Sequence, residues 1–113
     1  MPRDPFSQSP AALLEDEFAQ EKASALGRLG RALETALHAL AEFDASATPS
    51  GATDRRARVA LAAQASVALW HFVVQREACG LRDLRQVMRD YRVPPEIAAG
   101  MGVMPEKIVR RRR

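Results

Sequence analysis

The stretch VALAAQASVALWHFVV, residues 59–74, contains no charged side chain, and it decides the fold of this chain. Its only polar residues are Gln64, Ser66 and His71. At the helical period its apolar side chains, which include Trp70, cover most of the circumference. A helix that is apolar nearly all round must be buried on most of its sides. We therefore expect residues 59–74 to lie in a central helix against which the rest of the chain packs.

Helix signals frame this segment on both sides. Thr53 or Asp54 is a good N-cap, and Gly80 after Cys79 is a typical left-handed stop, so the pattern predicts a second helix that ends at Cys79. The polar sequence SATPSGAT, residues 46–53, forms the loop before it.

A long first helix is predicted on the N-terminal side of this loop. Ser9 followed by Pro10 is typical of a helix start, and no proline follows before Pro49, so the helix extends to about Ala45, roughly 54 Å. Its apolar residues recur at heptad-like steps. They are Leu26, Leu29, Leu33, Ala36, Leu40 and Phe43. A loop this short predicts an antiparallel hairpin of the first two helices.

The C-terminal part predicts a short third helix and a final helical turn. The third helix covers Leu81 to Tyr91 and is expected to fold back over Leu14 and Phe18. After Val93-Pro94-Pro95 breaks the chain, a single turn covers Pro95 to Ala99 and ends at Gly100. The expected organisation is a disordered leader over 1–8, one helical domain over 9–100, and a flexible basic tail over 101–113.

Composition supports an all-α fold. The chain has 113 residues and is 47% hydrophobic, with Ala as the main apolar residue and only 5% aromatic residues. Ala favours helices, whereas strands favour β-branched and aromatic residues. The net charge of +3 depends on Arg110–Arg113, because the other 13 basic and 14 acidic residues leave −1. We expect a cytoplasmic protein, since the N-terminus resembles no signal peptide and the apolar segment is short for a membrane span.

A hairpin with one short extra helix offers few surfaces against which so apolar a second helix can be buried. A second copy of the chain supplies the missing surface most simply, as a symmetric four-helix arrangement. The sequence therefore predicts a homodimeric helical bundle.

The third helix carries a stripe of arginines within an arc of about 80°. Its members are Arg82, Arg85, Arg89 and Arg92. Together with Arg110, Arg111, Arg112 and Arg113, they form a candidate site for phosphates of nucleic acid or for an acidic protein. The alternative, which we favour from sequence, is a solvated arginine face that either lies over the core or pairs with Glu15, Asp16 and Glu17 of the first helix.

Two further features have both a functional and a structural interpretation. Glu77 shares a side of the second helix with Trp70, Val73 and Val74. It is therefore a candidate buried carboxylate, either in a polar pocket or paired with Arg28, Arg31 or Arg85. Gly27 and Gly30 mark a small-residue face of the first helix, which indicates either a close contact with another backbone or a ligand, or a solvent-side weakness or local bend that the packing tolerates.

No arrangement typical of an enzyme or of a metal or cofactor site stands out. Cys79 and His71 are eight residues apart on one helix, about 80° apart in direction, and cannot meet. Together with His38, they lack the spacing of zinc ligands. A single cysteine also excludes an intramolecular disulfide. We expect no catalytic residue, no metal and no cofactor.

The string ALWHFVVQREACGLRD, residues 68–83, together with the later YRVPPEI, residues 91–97, resembles a family of small bacterial, proteobacterial proteins of unknown function. The resemblance implies an all-helical fold and transfers no catalytic residue. The sequence thus favours a non-enzymatic protein that acts through self-association and protein–protein contacts. The alternative is a non-specific nucleic-acid-binding accessory protein that uses the arginines.

Overall fold

The computed structural model describes residues 9–46 and 51–101, and they form four α-helices. The helices are α1 (Pro10–Ser46), α2 (Ala52–Ala78), α3 (Leu84–Asp90) and α4 (Pro95–Gly100). Within these ranges there is no strand, so the predicted all-α fold is confirmed. The leader 1–8 and the tail from residue 102, with its four arginines, lie outside the described residues. Met101, assigned to the tail from sequence, is half-buried and packs against the core.

α1 begins and ends close to where the sequence predicts. The Ser9 hydroxyl accepts a hydrogen bond from the Ala12 amide at 3.1 Å, as expected of an N-cap. Leu33 and Leu40 of the predicted seam are fully or almost fully buried, and Leu26, Leu29 and Ala36 pack against them. The heptad-like pattern therefore identified the side of α1 that faces the core.

α1 and α2 form the predicted antiparallel hairpin. Near the loop, the Arg58 guanidinium binds the Asp44 carboxylate, and near the other end the Gln75 amide donates to the Lys22 carbonyl at 3.4 Å. This pairing places Phe18 about level with the end of α2. Residues Pro10–Glu17, which we call the α1 extension, therefore continue beyond α2 by about 12 Å.

The boundaries of α2 and α3 differ from the prediction at two points. α2 starts at Ala52 with Gly51, at φ 92°, as its N-cap, two residues before the earlier of the two predicted cap positions, Thr53 and Asp54. α3 starts at Leu84 because Leu81 belongs to the end of α2: its amide donates to the Arg76 carbonyl at 2.8 Å, beside Gly80 at φ 83°. Asp83 then caps α3 by accepting from the Gln86 amide at 3.2 Å.

α3 and α4 cover one side of the hairpin, which we call the closed face. Val87 of α3 and Ile97 of α4 are buried there together with Leu69 and Phe72 of α2. The Tyr91 ring meets the Phe72 ring edge-on, with centroids 5.1 Å apart. The predicted packing of the third helix over Leu14 and Phe18 is wrong, because Tyr91 instead reaches Gly30 near the middle of α1, and Phe18 is 61% exposed.

Candidate interaction surfaces

α2 is not buried on most of its sides within one chain, contrary to the simplest expectation from its composition. Ala65, Leu69 and Phe72 face the core, but on the far side a row of apolar residues is exposed. The row consists of Val59, Ala63, Val67, Trp70 and Val74, which step by 4, 4, 3 and 4 and fall within an arc of about 80°. Val59 is 68% and Val67 48% exposed. Such a row is typical of a helix that packs against something beyond its own chain.

The row on α2 continues onto α1 across a shallow groove. Leu29 and Ala32 of α1 line this groove together with Ala63 and Val67 of α2. Leu14 and Phe18, at helical spacing from Leu29 and Ala32, extend the same side of α1 to its start. We call this surface the open face: Leu14, Phe18, Leu29 and Ala32 of α1 with Val59, Ala63, Val67, Trp70 and Val74 of α2. It lies away from α3 and α4.

The two ends of the open face carry opposite charges. At the α1 extension, four exposed acids surround Leu14 and Phe18: Glu15, Asp16, Glu17 and Glu21. At the start of α2, exposed Arg55 and Arg56 line a groove with Val59, Ala60 and Ala63. Among the residues that the structure describes, no salt bridge involves any of these six charged side chains. Their charges are therefore available to an outside partner.

The predicted arginine stripe lies only partly on α3, because Arg82 precedes Leu84 and Arg92 follows the helix at φ 51°. Arg82, Arg85, Arg89 and Arg92 are all exposed, and none makes a salt bridge within residues 9–46 and 51–101. Of the interpretation favoured from sequence, the pairing with Glu15, Asp16 and Glu17 is not found in these ranges, whereas a solvated arginine face agrees with the exposure of the four side chains. The physical reason is that α3 packs by Val87 and Tyr91 near the middle of the hairpin, whereas those acids lie at its far end.

A charged cluster that sequence reasoning missed ties three helices together. Arg58 of α2 binds Asp44 of α1 at 2.8 Å and Glu96 of α4 at 2.7 Å. The hydrogen bonds from Arg58 lower the pKa of both carboxyls, and the two carboxylates raise the pKa of Arg58. Because its members come from three separate helices, no local spacing in the sequence could have indicated it.

The structure also shows the surroundings of Glu77 and of the small-residue face of α1, the two features with alternative interpretations from sequence. Glu77 is exposed, and no salt bridge joins it to Arg28, Arg31 or Arg85 in the described ranges, so the predicted buried pair is not found. Gly30 is buried, and a Cβ there would lie 2.9 Å from the Tyr91 hydroxyl and 3.2 Å from the Phe72 ring. Gly30 therefore lies in a close contact with side chains, not with another backbone or a ligand as the sequence suggested, and it is not on the solvent side. Burial raises the pKa of the Tyr91 phenol that covers it.

Cys79 and His71 line different grooves, as the helical spacing predicts. Cys79 lies with Ala19, Ala23 and Phe18 at the end of the hairpin, and His71 lies with Leu29 and Val67 on the open face. Within the part of the chain that the structure describes, no three His, Cys, Asp or Glu side chains are grouped as metal ligands are.

By length and composition alone, α2 qualifies as a membrane-crossing helix over Asp54–Ala78. Core helices of water-soluble proteins pass the same test when they are mostly buried, but only 22% of its most apolar window is buried in this chain. The apolar surface of α2 is thus more exposed than that of a typical core helix, and exposed apolar surface of this extent is typical of sites that bind protein or lipid.

Comparison with known proteins identifies the family and nothing more specific. No curated protein and no solved structure matches the chain. The sequence model of DUF6665, a family of unknown function, matches residues 6–109. This match includes both strings that carry the resemblance found in the sequence, residues 68–83 and 91–97. The chain belongs to this family of unknown function, DUF6665.

Proposed function

We propose that this protein is a non-enzymatic, self-associating helical protein whose two copies join through their open faces. The observation that carries the proposal is the exposed apolar row on α2, of which Val59, Val67 and Val74 are 68%, 48% and 44% exposed. Contiguous apolar surface of this kind is rare on monomers unless it serves binding. Two hairpins joined in this way form a four-helix bundle of two layers, and α3 and α4 of each copy lie on the outer side of its own layer.

The size of the open face suits a stable dimer. From Leu14 to Val59 the face is about 35 Å long at 1.5 Å per residue, and two adjacent helices are about 20 Å wide. The product, about 700 Å², is close to the roughly 800 Å² that each partner contributes to a standard interface.

Sedimentation velocity over a concentration series tests the proposal directly. We expect the full chain to dimerise at micromolar concentration. Val67→Glu combined with Val74→Glu should weaken the dimer by about 100-fold, because two carboxylates would be desolvated in the interface. Ala41→Glu combined with Gln86→Glu adds the same charge at exposed positions outside the open face, and this matched control should dimerise like the original chain.

The competing explanation is that lipid covers the open face. Flotation with neutral phosphatidylcholine vesicles distinguishes self-association from lipid binding. A dimer hides the open face, so the protein should not float with the vesicles. A chain that remains monomeric at all concentrations, or that floats with vesicles through the face that Val67→Glu disrupts, would contradict the proposal.

A second candidate function, non-specific nucleic-acid binding, is favoured by one observation. Arg82, Arg85, Arg89 and Arg92 are exposed without a salt bridge to any described acid. Free arginines can bind phosphates without reading sequence, and affinity then falls steeply with salt. α4, at six residues, is too short to serve as a recognition helix.

Fluorescence anisotropy of a labelled random duplex, titrated at two salt concentrations, tests this candidate. Arg85→Glu combined with Arg89→Glu should abolish most binding, and a chain that ends at Val109 should lose part of the salt dependence. Equal binding by the original chain and the Arg85→Glu, Arg89→Glu variant would contradict a role for the stripe.

A further inference from the structure

We infer that the two copies in the dimer run antiparallel, so that the acidic start of α1 in one copy lies on the basic start of α2 in the other. The inference rests on the proposed self-association and specifies its geometry. It is drawn from the distribution of charge along the open face, which is acidic at one end and basic at the other.

The acidic end is a part of α1 that has no neighbour along α2. The α1 extension runs about 12 Å past the end of α2, because Lys22 already pairs with Gln75. Leu14 is 51% and Phe18 61% exposed there, and Glu17 and Glu21 flank them on the same helix. An apolar strip bordered by carboxylates fits a complementary strip bordered by cations.

The open face itself provides that complementary strip at its opposite end. Arg55, Arg56 and Val59 line one groove at the start of α2, and Val59 is the most exposed of the large apolar residues there. Arg58, the next basic residue, is already bound to Asp44 and Glu96 and points away from this groove. Arg55 and Arg56 are thus the charges that a second copy meets.

The two alternative orientations of a two-fold dimer differ in the sign of their electrostatic energy. A parallel arrangement brings the two acidic ends together and also the two pairs of arginines, so like charges face each other at both ends. The antiparallel arrangement makes two equivalent contacts between an acidic and a basic end. Only the antiparallel orientation therefore gains from the observed charges.

The antiparallel arrangement also defines a register. Phe18 lies about level with the end of α2, so contact between Phe18 of one copy and Val59 of the other puts the two-fold axis midway, near Trp70. Trp70, which is 37% exposed in one chain, then faces its own symmetry mate. Paired tryptophans at an interface centre are typical of strong binding positions.

Charge exchange combined with salt dependence tests the orientation by sedimentation equilibrium. We expect Glu17→Arg with Glu21→Arg to weaken the dimer at least tenfold, and Arg55→Glu with Arg56→Glu to do the same. The chain that carries all four substitutions should recover dimerisation, because each contact is again between opposite charges. The original dimer should weaken as salt rises, since screening removes attraction.

Arg85→Glu combined with Arg89→Glu is the matched control, because it changes two exposed arginines outside the open face. It should leave the dimer dissociation constant unchanged.

A distance between labels at the single cysteine, Cys79, provides an independent measurement. With the axis near Trp70, the two Cys79 labels of an antiparallel dimer lie about 30 Å apart, whereas a parallel dimer places them within roughly 15 Å. Because Cys79 is half-buried, Ser46→Cys in a Cys79→Ser background serves as a second site, with an expected separation of about 45 Å.

The outcomes separate this inference from the proposal beneath it. Long distances at both sites, with recovery in the four-substitution chain, support the antiparallel dimer. A dimer that tightens with salt, ignores the charge exchanges and has short label distances overturns the orientation but leaves self-association intact. A chain that stays monomeric overturns self-association and this inference with it.

Discussion

The closed and the open face of the hairpin are built from the same apolar helix, yet only one of them is covered. On the closed face, α3 and α4 bury Leu69 and Phe72 to 0% and 4% exposure. On the open face, Val67 and Val74 of the same helix remain almost half exposed. The difference teaches that the composition of a helix determines how much surface must be buried, while the remaining chain determines how much of it is buried internally.

The largest effect should come from a cavity on the closed face. Leu69→Ala removes a side chain that is 0% exposed and should lower the free energy of unfolding by about 3 kcal/mol. Val67→Ala, two residues earlier on the open face, should cost under about 1 kcal/mol in the monomer. Urea denaturation at sub-micromolar concentration checks both variants, and equal losses would mean that the two faces are equally buried.

An added methyl group should distinguish the covered glycine from the uncovered one. Gly30→Ala places a Cβ 2.9 Å from the Tyr91 hydroxyl and should destabilise the chain by about 1–2 kcal/mol through overpacking. At Gly27 a Cβ meets only the end of Arg31 at 3.4 Å, so Gly27→Ala should stabilise α1 by up to about 1 kcal/mol. Thermal unfolding followed by circular dichroism measures both shifts, and a stabilising Gly30→Ala would show that Tyr91 does not cover this position.

The turn that brings α4 onto the closed face contains a strained residue. Arg92 follows α3 at φ 51°, a left-handed conformation, and the next amide, Val93, donates to the Met88 carbonyl at 3.0 Å. Glycine adopts this conformation without strain, so Arg92→Gly should raise the free energy of unfolding by about 0.5–1 kcal/mol. Arg89→Gly, inside the helix, is the control and should lower it by a similar amount. The urea concentration at the midpoint of unfolding measures both changes. A lower midpoint for Arg92→Gly than for the original chain would contradict the claim that Arg92 is strained.

The smallest effect concerns the ion pairs at the rim of the closed face. Arg58 lowers the pKa of Asp44 and Glu96, so their contribution to stability is complete above the pKa values of the unfolded chain. It is lost as pH falls through the lower values of the folded chain. Arg58→Leu should therefore flatten the fall in melting temperature between neutral and acidic pH, by a modest amount because the pairs are solvent-exposed. Melting curves with the same slope for both chains would contradict this coupling.

Most local signals in the sequence predicted the fold correctly, although the N-cap of α2 is Gly51 and not Thr53 or Asp54. The Ser9 cap, the Gly80 stop and the break at Pro94-Pro95 each depend on neighbouring residues, and the structure has each of them. The start of α3 was wrong by three residues because Leu81 closes the cap of α2, and capping competes with helix continuation at such a position.

The candidate surfaces were predicted less well because they depend on contacts between distant residues. The packing site of α3 was placed at Phe18, but the pocket for Tyr91 exists only where Gly30 and Phe72 come together. For the same reason the pairing of the arginine stripe with Glu15, Asp16 and Glu17 was wrong, and the Arg58 cluster was missed. The predicted dimer, the bacterial origin and the cytoplasmic location remain predictions.

The sequence by itself determined that this chain is helical, where its helices turn, and that α2 is too apolar for the rest of one chain to cover. These properties follow from backbone propensity, capping and periodicity, which act over a few residues. Only the tertiary structure decided which side of α2 is covered and which charges stay unpaired. Those outcomes depend on where α3 and α4 pack: Val87 and Ile97 join the core formed by α1 and α2, and Tyr91 covers Gly30, which lies 61 residues earlier in the chain.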